Sequence, residues 1–369
     1  MDRNEELTAK HQRVTAYMNA TGLEGVLLSR RCNFSWYTCG AHNYVSNACE
    51  VGNSHLLVDR DGARVIANNI EAPRLRDEEL ADLPIEVCPF DYSSLIDRAQ
   101  LFDRLIGSRH VAADAAVGGL ALPILDSAFD GLRWQLLKPE IDRMRDLSRD
   151  VVLAVEATGL NIEQGESEAS IAGALACALR SVGAVPWVLL VAGDERLDSF
   201  RHPLPTDNVC KRMAMLAVGA ERDGLISACT RVVSFTRLPR ELRKKHNAVA
   251  TVDAALWSAT RPGATLGQIF DEARQAYQRT GYADQWRFHH QGGSIGYQPR
   301  DAKAAPGDAT TALENQAFAW NPSIAGTKSE DTILCTPREP TPLAGPTDWP
   351  MISVRWKDYK VRRPDILVR

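Results

Sequence analysis

Several features that mark well-known protein classes are missing from this sequence. None of its eight cysteines forms a C-x-x-C pair, which argues against a zinc ribbon and a thioredoxin-type motif. No apolar run reaches the roughly 18 residues of a membrane span, and the polar start lacks the apolar segment of a signal peptide. We therefore expect a cytoplasmic protein with reduced thiols and no membrane partner.

A strong charge of one sign is also missing. The 47 acidic and 43 basic residues leave a net charge of -4, and a mildly acidic chain argues against nucleic-acid binding. Apolar residues at 44% and charged residues at 24% are typical of a globular protein and argue against disorder. The length of 369 residues predicts two domains.

The first half of the chain has the pattern of a mixed α/β domain. Apolar residues at helical spacing run from Glu6 to Thr21, and Gly22 follows as a capping glycine. A second helix is predicted over Ser94–Ile106, and a charged helical segment over 136–149 is the expected bridge between domains. Strands are predicted at Gly25–Leu28, Ser54–Val58, Ala63–Ala67 and His110–Ala113, with a tight turn between the second and the third.

The second half contains an internal near-repeat with an offset of 98 residues. Each copy has a turn, a Ser or Thr that can cap a helix, an amphipathic segment and a glycine stop. The matching positions are Ser167, Ile171, Ala178 and Gly183 in one copy, and Thr265, Ile269, Ala276 and Gly281 in the other. A strand is predicted after each copy, at Trp187–Ala192 and at Trp286–His289. A duplication predicts a pseudo-twofold domain with its site between the halves, and chance similarity of two helices is the alternative.

Polar residues suited to chemistry are concentrated in four blocks of the second half. The blocks are Arg201–Pro203, a predicted hairpin over 214–235, His289–Asp301 and Trp320–Thr332. In this order and spacing they resemble the family of creatinase, prolidase and aminopeptidase P. The matching landmarks are Leu137-Lys138-Pro139-Glu140-Ile141, His202-Pro203, Gly219-Ala220, Thr230-Arg231 and Gly326 through Thr332. The resemblance implies an α/β N-terminal domain over residues 1–135 and an α+β pita-bread domain over residues 136–369.

The departures from that family concern its metal ligands. Metal-dependent members hold two divalent cations with two aspartates, one histidine and two glutamates. This sequence has Ala217 and Ala228 at the aspartate positions, Gly293 at the histidine position and Asn321 at the first glutamate position. Only Glu330 is retained at its position. One carboxylate cannot balance two divalent ions, so the sequence predicts no metal site and no cofactor.

The residues that are retained resemble those of creatinase, which works without a metal. The resemblance implies that His202 is a general acid and base and that Glu330 binds a cationic substrate group; an internal ion pair with Lys328 or Arg231 is the alternative for Glu330. Ala228 occupies the place where a further acidic residue of creatinase is expected, which argues against creatine as the substrate. The ordinary imidazole pKa near 6.5 suits a proton shuttle.

Further candidates lie in the third and fourth blocks. His289 and His290 are predicted catalytic residues, one facing the cleft and one packed, and with Glu330 they would form at most one weak metal site. Arg300 is predicted to bind a substrate carboxylate through bidentate hydrogen bonds. Three other residues are predicted to bind substrate: Asn321, Tyr297 and Lys328.

An aromatic and polar segment in the first half is also a candidate. In the family that the sequence resembles, the corresponding region of one subunit helps to close the partner's site. This implies a homodimer in which His42 and Tyr44 contact the substrate, and core packing is the alternative for both residues.

Together these observations predict a metal-independent hydrolase of a C–N bond, amidino or amide, in a small amino-acid-like substrate. Another metal-free reaction, such as an elimination, cyclisation or isomerisation in a biosynthetic pathway, would use the same proton-transferring residues. A non-catalytic binding protein is a third possibility. An active Xaa-Pro metalloaminopeptidase is least favoured, because the metal ligands are replaced.

Overall fold

The computed structural model describes all 369 residues, which separate into two compact units. One unit contains residues 1–133 and 137–140, and the other contains residues 134–136 and 141–369. None of the helices combines the length and the apolar character needed to cross a bilayer. All eight cysteines are free thiols in this structure.

The first unit is built on a five-stranded sheet. Its strands are β1 (Gly25–Arg30), β2 (Val51–Asp59), β3 (Gly62–Asn68), β4 (Glu86–Phe90) and β5 (Val111–Ala113), in the order β4-β3-β2-β1-β5. Its helices are α1 (Arg3–Thr21), α2 (Arg31–Tyr37), α3 (Ala72–Arg74), α4 (Leu95–Ile106) and α5 (Ser127–Asp130). A π-helix continues α3 over Leu75–Glu79, and a 3-10 helix follows α5 over Gly131–Arg133.

Local signals in the sequence explain these elements. The Asp2 side chain caps α1 in a reciprocal capping box with Glu5, and Gly22 ends the helix with a φ of 73°. The predicted first helix is therefore confirmed. Strands β2 and β3 pair antiparallel, which confirms the predicted hairpin. The inward side chains of the sheet pack on α4 in a common core, which includes Leu27, Leu57, Ile66 and Phe102.

The second unit contains two larger sheets and five helices. The helices are α6 (Lys138–Asn161), whose first three residues belong to the first unit, α7 (Glu168–Ser181), α8 (Glu195–Ser199), α9 (Arg240–Ala259) and α10 (Leu266–Arg279), with a 3-10 helix at Gln285–Phe288. The longer strands are β6 (Val185–Gly193), β7 (Met213–Arg222) and β8 (Leu225–Ser234). The short strands that follow are β9 (Gly292–Ile295), β10 (Ala302–Lys303), β11 (Ala317–Trp320), β12 (Ser323–Ile324), β13 (Thr327–Lys328), β14 (Asp331–Leu334) and β15 (Thr341–Pro342). The chain ends with β16 (Met351–Trp356), β17 (Tyr359–Pro364) and β18 (Leu367–Val368).

The near-repeat has a structural counterpart in this unit. Ser167 caps α7 and Thr265 caps α10, and each of these two residues also forms an isolated β-bridge, to Val209 and to Thr311 respectively. The first sheet has the order β18-β8-β7-β6, and the second has the order β10-β9-β11-β14-β15. The duplicated helix therefore precedes a strand of each large sheet.

One predicted strand, Trp286–His289, is wrong. The aromatic residues there favoured a strand, but Gln285–Phe288 forms a 3-10 helix and the strand begins later, at Gly292. The ring of Trp286 packs edge-on against Phe270 of α10, with ring centroids 5.6 Å apart. Its apolar character thus serves packing on a helix rather than a sheet face.

The two large sheets are joined along β8. The Thr230 backbone N–H donates to the carbonyl oxygen of Glu330 at 3.0 Å, and the Ile226 N–H donates to that of Gly296 at 2.8 Å. The Ala228 N–H donates to Thr332 Oγ1 at 2.9 Å. These bonds bring the hairpin, the third block and the fourth block of polar residues to one place.

Candidate active site

A cavity of about 320 Å³ is lined by residues of both large sheets. One part of its wall is apolar and includes Val188, Leu190, Val218, Ile226 and Ile295. The other part is polar and includes His202, His290, Arg300, Lys303, Asn321, Lys328 and Glu330. A cavity with an apolar wall and a few convergent polar groups is the usual form of a small-molecule site.

Glu330 lies in this wall with every side-chain oxygen engaged. Lys328 Nζ is 2.6 Å from Oε2 and Arg300 Nη2 is 3.1 Å from Oε1, while Thr230 Oγ1 donates to Oε2 at 2.8 Å. Burial favours the protonated acid, but the charges of Lys328 and Arg300 hold the pKa of Glu330 below its usual range. Glu330 therefore forms the internal ion pair with Lys328, whereas Arg231 pairs with Glu156 and Asp331.

Three histidines meet beside this ion pair. His202 lies in the loop after α8, and His289 and His290 lie just before β9; ligand nitrogens of all three fall within 4.8 Å of one another. Burial and the nearby cation Lys328 lower the pKa of His202, and burial and Arg300 lower that of His290 to about 4. Burial also lowers the pKa of His289. All three imidazoles are therefore neutral at pH 7.

Hydrogen bonds fix which nitrogen of His202 faces outward. His202 Nε2 and His289 Nε2 are 3.0 Å apart, and His289 Nδ1 is 3.1 Å from Ser323 Oγ. The second nitrogen of His202, Nδ1, has no hydrogen-bond partner within the chain. His290 faces differently, because its Nδ1 accepts from the Gly292 N–H at 3.2 Å.

Gly293 occupies a position that admits no side chain. Its φ is +156°, and a Cβ built there would overlap the carbonyl oxygen of Ala302 on the neighbouring strand. Gly293 is paired on both sides, with Lys303 of β10 and with Ala319 of β11, so the backbone cannot move away without breaking the sheet. The position at which the sequence resemblance implies a ligand histidine is thus closed to any side chain.

Replacing Gly293 by alanine is expected to lower the free energy of unfolding by at least about 2 kcal/mol, because overlap with Ala302 adds to the strain of a positive φ. Urea unfolding followed by circular dichroism measures this change. Gly345→Ala is the matched control, since a Cβ at Gly345 meets no atom within 4 Å. Equal stability of the two variants would show that the overlap is relieved at no cost.

The residues present do not fit the pair of divalent cations typical of the resembled family. Ala217 and Ala228 offer methyl groups, Gly293 offers none, Asn321 is neutral, and the Glu330 carboxylate is taken by two cations of the chain. The three neutral histidines have the nitrogens for one transition-metal ion, but they bring no negative charge.

The comparisons with known proteins agree with this fold. Residues 142–337, more than half of the chain, match the model described as metallopeptidase family M24, and the chain belongs to that family. Its N-terminal unit and pita-bread unit correspond to the architecture of the solved relatives. No curated protein matches the chain by sequence.

Solved structures resemble the chain over nearly its whole length at low identity. The Xaa-Pro dipeptidase from Bacillus anthracis is 17% identical with a TM-score of 0.79, covering 98% of this chain and 100% of that one. The X-Pro aminopeptidase from Thermotoga maritima MSB8 is 18% identical with a TM-score of 0.77, covering 97% and 99%. The N-terminal domain of the FACT complex subunit SPT16 from Cicer arietinum is 12% identical with a TM-score of 0.67, covering 92% and 96%. At these identities the likeness establishes the fold alone.

The structure brings most of the predicted site residues together. The cavity is lined by His202, His290, Arg300, Asn321, Lys328 and Glu330, and His289 is not part of the lining but contacts His202. Tyr297 is buried and is not part of the lining. His42 and Tyr44 lie in the first unit, where His42 contacts Glu79 and the Tyr44 ring lies 3.5 Å from the Arg31 guanidinium. Their role in a partner's site, and the homodimer itself, stay predictions.

Three participants were missed by sequence reasoning. Lys303 lines the cavity from β10, Thr230 bonds Glu330 from β8, and Ser323 bonds His289 from β12. Ser323 and Thr230 lie inside the polar blocks named in the sequence analysis. Their hydroxyl groups, which can hydrogen-bond to a charged side chain or an imidazole, are the feature from which their roles could have been predicted. Lys303 lies just after the third block, and only the pairing of β10 with β9 brings it to the cavity.

Proposed function

We propose that this protein is a metal-independent hydrolase that cleaves a C–N bond, amidino or amide, in a small amino-acid-like substrate. The observation that carries the proposal is the pairing of Glu330 with Lys328 and Arg300 in the wall of the cavity. The chain itself supplies two fixed cations beside its one retained metal-position carboxylate. Positive charge that can stabilise an oxyanion is therefore available without a bound ion.

His202 is the proton-transferring residue in this proposal. Its Nε2 faces His289, so Nδ1 is the nitrogen available to water in the cavity. For Nδ1 to accept a proton, Nε2 must carry hydrogen and donate to His289 Nε2, and His289 Nδ1 then donates to Ser323 Oγ. The lowered pKa of His202 keeps its imidazole neutral, and hence basic, at pH 7.

Hydrolysis follows from this arrangement. The oxygen of water bonds to the carbonyl or amidine carbon while one water proton passes to His202 Nδ1. For an amide, the negative charge that develops on the carbonyl oxygen is stabilised by Lys328 and Arg300. The C–N bond then breaks, the leaving nitrogen takes the proton from His202, and an amide yields a carboxylic acid and an amine.

Glu330 has a different role here from the one implied by creatinase. Both of its oxygens are bonded to cations of the chain, so its negative charge is already balanced before a cationic substrate group could approach. We assign it as a positioning residue that holds Lys328 and Arg300 at the cavity. Arg300 then serves both as a partner of Glu330 and as a donor toward the substrate.

Chelation is expected to leave the activity unchanged. The test is to assay the purified protein on a panel of N-acyl, N-carbamoyl and N-amidino amino acids before and after treatment with EDTA and 1,10-phenanthroline, with elemental analysis of the same samples. We expect hydrolysis of at least one member of the panel, no stoichiometric zinc, manganese or cobalt, and the same rate after chelation. Activity that is lost on chelation and restored by a divalent ion would contradict the proposal.

A further inference from the structure

The charge of the cavity distinguishes between possible ligands. Its lining contains three cationic side chains, Arg300, Lys303 and Lys328, and a single carboxylate, Glu330. The neighbouring histidines add no positive charge at pH 7, because burial and these cations lower their pKa values. The lining of the cavity thus carries an excess of positive charge, which favours an anionic ligand and disfavours an ammonium or guanidinium group.

Two residues of the lining each have one buried polar atom without a partner. Arg300 Nε is a donor with no acceptor, and Asn321 Oδ1 is an acceptor with no donor. Asn321 is only 3% exposed, so bulk water does not readily satisfy its oxygen. Buried polar groups in native proteins are nearly always paired, and groups left unpaired in a cavity indicate what a ligand supplies. Here a ligand would offer an acceptor to Arg300 and an N–H to Asn321.

The remaining wall is apolar. Val188 and Leu190 of β6, Val218 of β7 and Ile226 of β8 present aliphatic side chains to the same cavity. Ile295 of β9 extends this surface from the second sheet. A ligand that offers an anion and an N–H therefore also gains from burying an aliphatic group.

We infer that the cavity binds the anion of an apolar amino acid whose nitrogen is blocked by a neutral acyl or carbamoyl group. The carboxylate pairs with Arg300 and Lys303, the N–H donates to Asn321 Oδ1, and the side chain lies on the aliphatic wall. A free amino acid or dipeptide would bring an ammonium group among three cations, and an N-amidino compound would bring a guanidinium. This inference rests on the proposed function, because it names the substrate class of the same site.

Calorimetric binding to the full chain tests the charge and the N–H separately. N-acetyl-L-leucine is compared with neutral N-acetyl-L-leucinamide, with L-leucine, and with 2-acetoxy-4-methylpentanoate, in which an ester oxygen replaces the N–H. We expect each change to weaken binding by about tenfold or more, the effect of one lost charge-assisted or buried hydrogen bond. N-carbamoyl-L-leucine distinguishes the two blocking groups. Equal affinity for the neutral amide, tighter binding of L-leucine, or no binding of either blocked anion would overturn the inference.

Variants assign these contributions to residues. Lys303→Gln is expected to weaken binding of N-acetyl-L-leucine and to leave that of the leucinamide unchanged; Lys303 is exposed, so this variant keeps the fold. Asn321→Leu is expected to remove the preference for the N–H over the ester, and thermal unfolding checks that it folds. Retention of that preference in folded Asn321→Leu would refute the assignment of Asn321.

The outcomes separate this inference from the proposed reaction. Binding of the blocked anion without its hydrolysis would refute the reaction and leave the ligand class intact. Metal-free hydrolysis of a cationic substrate would refute the ligand class and leave the chemistry intact.

Discussion

Replacing His202 by alanine is expected to lower kcat roughly 100- to 10,000-fold, the usual contribution of a general acid and base. His202 Nδ1 makes no hydrogen bond within the chain, and burial and the nearby cation Lys328 lower the pKa of the imidazole. The measurement is steady-state hydrolysis of an N-acyl amino acid by chelator-treated enzyme. Calorimetric binding of the same compound should change much less than kcat, since the proposed contacts of the ligand are with other residues.

His110→Ala is the matched control for this variant. His110 is an exposed histidine of the first unit whose Nδ1 lies 3.1 Å from the Gly22 carbonyl oxygen, and its removal should leave kcat unchanged. His202 lies in a loop outside the helices and strands, so both variants should unfold at the wild-type temperature. Undiminished activity of His202→Ala would eliminate it as the proton-transferring residue.

The pH profile gives a second check on His202. Because its pKa is lowered in the folded protein, the imidazole loses its proton at a lower pH than a free histidine does. The acid limb of kcat/KM should therefore lie below the ordinary value of about 6.5. An acid limb above that value would indicate a different base.

Glu330→Gln is expected to lower the free energy of unfolding by about 3–5 kcal/mol, because it leaves Lys328 and Arg300 buried without their counter-charge. The side chains of Glu330 and Lys328 are only 4% and 7% exposed, so water does not screen the loss. Urea unfolding at pH 7 measures the change. The Glu330→Gln substitution should also reduce kcat, since Glu330 holds both cations in place.

Glu195→Gln is the control for Glu330→Gln. Glu195 pairs with Arg212 at the surface, where its side chain is 81% exposed, and its loss should cost less than about 1 kcal/mol. The pKa of Glu330 is lower in the folded state than in the unfolded state. Its charge therefore contributes fully to the free energy of unfolding above the unfolded pKa, and this contribution is lost as the pH falls through the folded pKa. The difference in the free energy of unfolding between the wild type and Glu330→Gln should thus become smaller at acid pH. Equal costs for Glu330→Gln and Glu195→Gln would mean that the buried cations find other partners.

The parts of the fold that the sequence predicted are those with local signals. The helical pattern from Glu6 to Thr21 and the stop at Gly22 predict α1, which the structure begins three residues earlier, at Arg3. The caps at Ser167 and Thr265 mark both copies of the repeated helix. In these cases the residues that determine the element lie inside it or next to it.

The parts that could not be predicted depend on distant partners. The sequence indicates Lys328 or Arg231 as the ion-pair partner of Glu330, and it gives no sign of Arg300, which lies 30 residues away in the chain. That pairing exists only because β9, β11 and β14 assemble into one sheet. The strand predicted at Trp286–His289 failed for the same reason, since packing on α10 outweighed the local preference of the aromatic residues.

The ion triad of Lys328, Glu330 and Arg300 has a consequence for how the site is filled. A bound metal occupies its site by mass action, and its occupancy depends on supply, competing chelators and dilution. The ammonium and guanidinium groups here are covalently part of the polypeptide. These two cationic groups cannot dissociate, be removed by a chelator or be replaced by another ion. Every folded molecule therefore has both cations in place, and translation alone sets their stoichiometry.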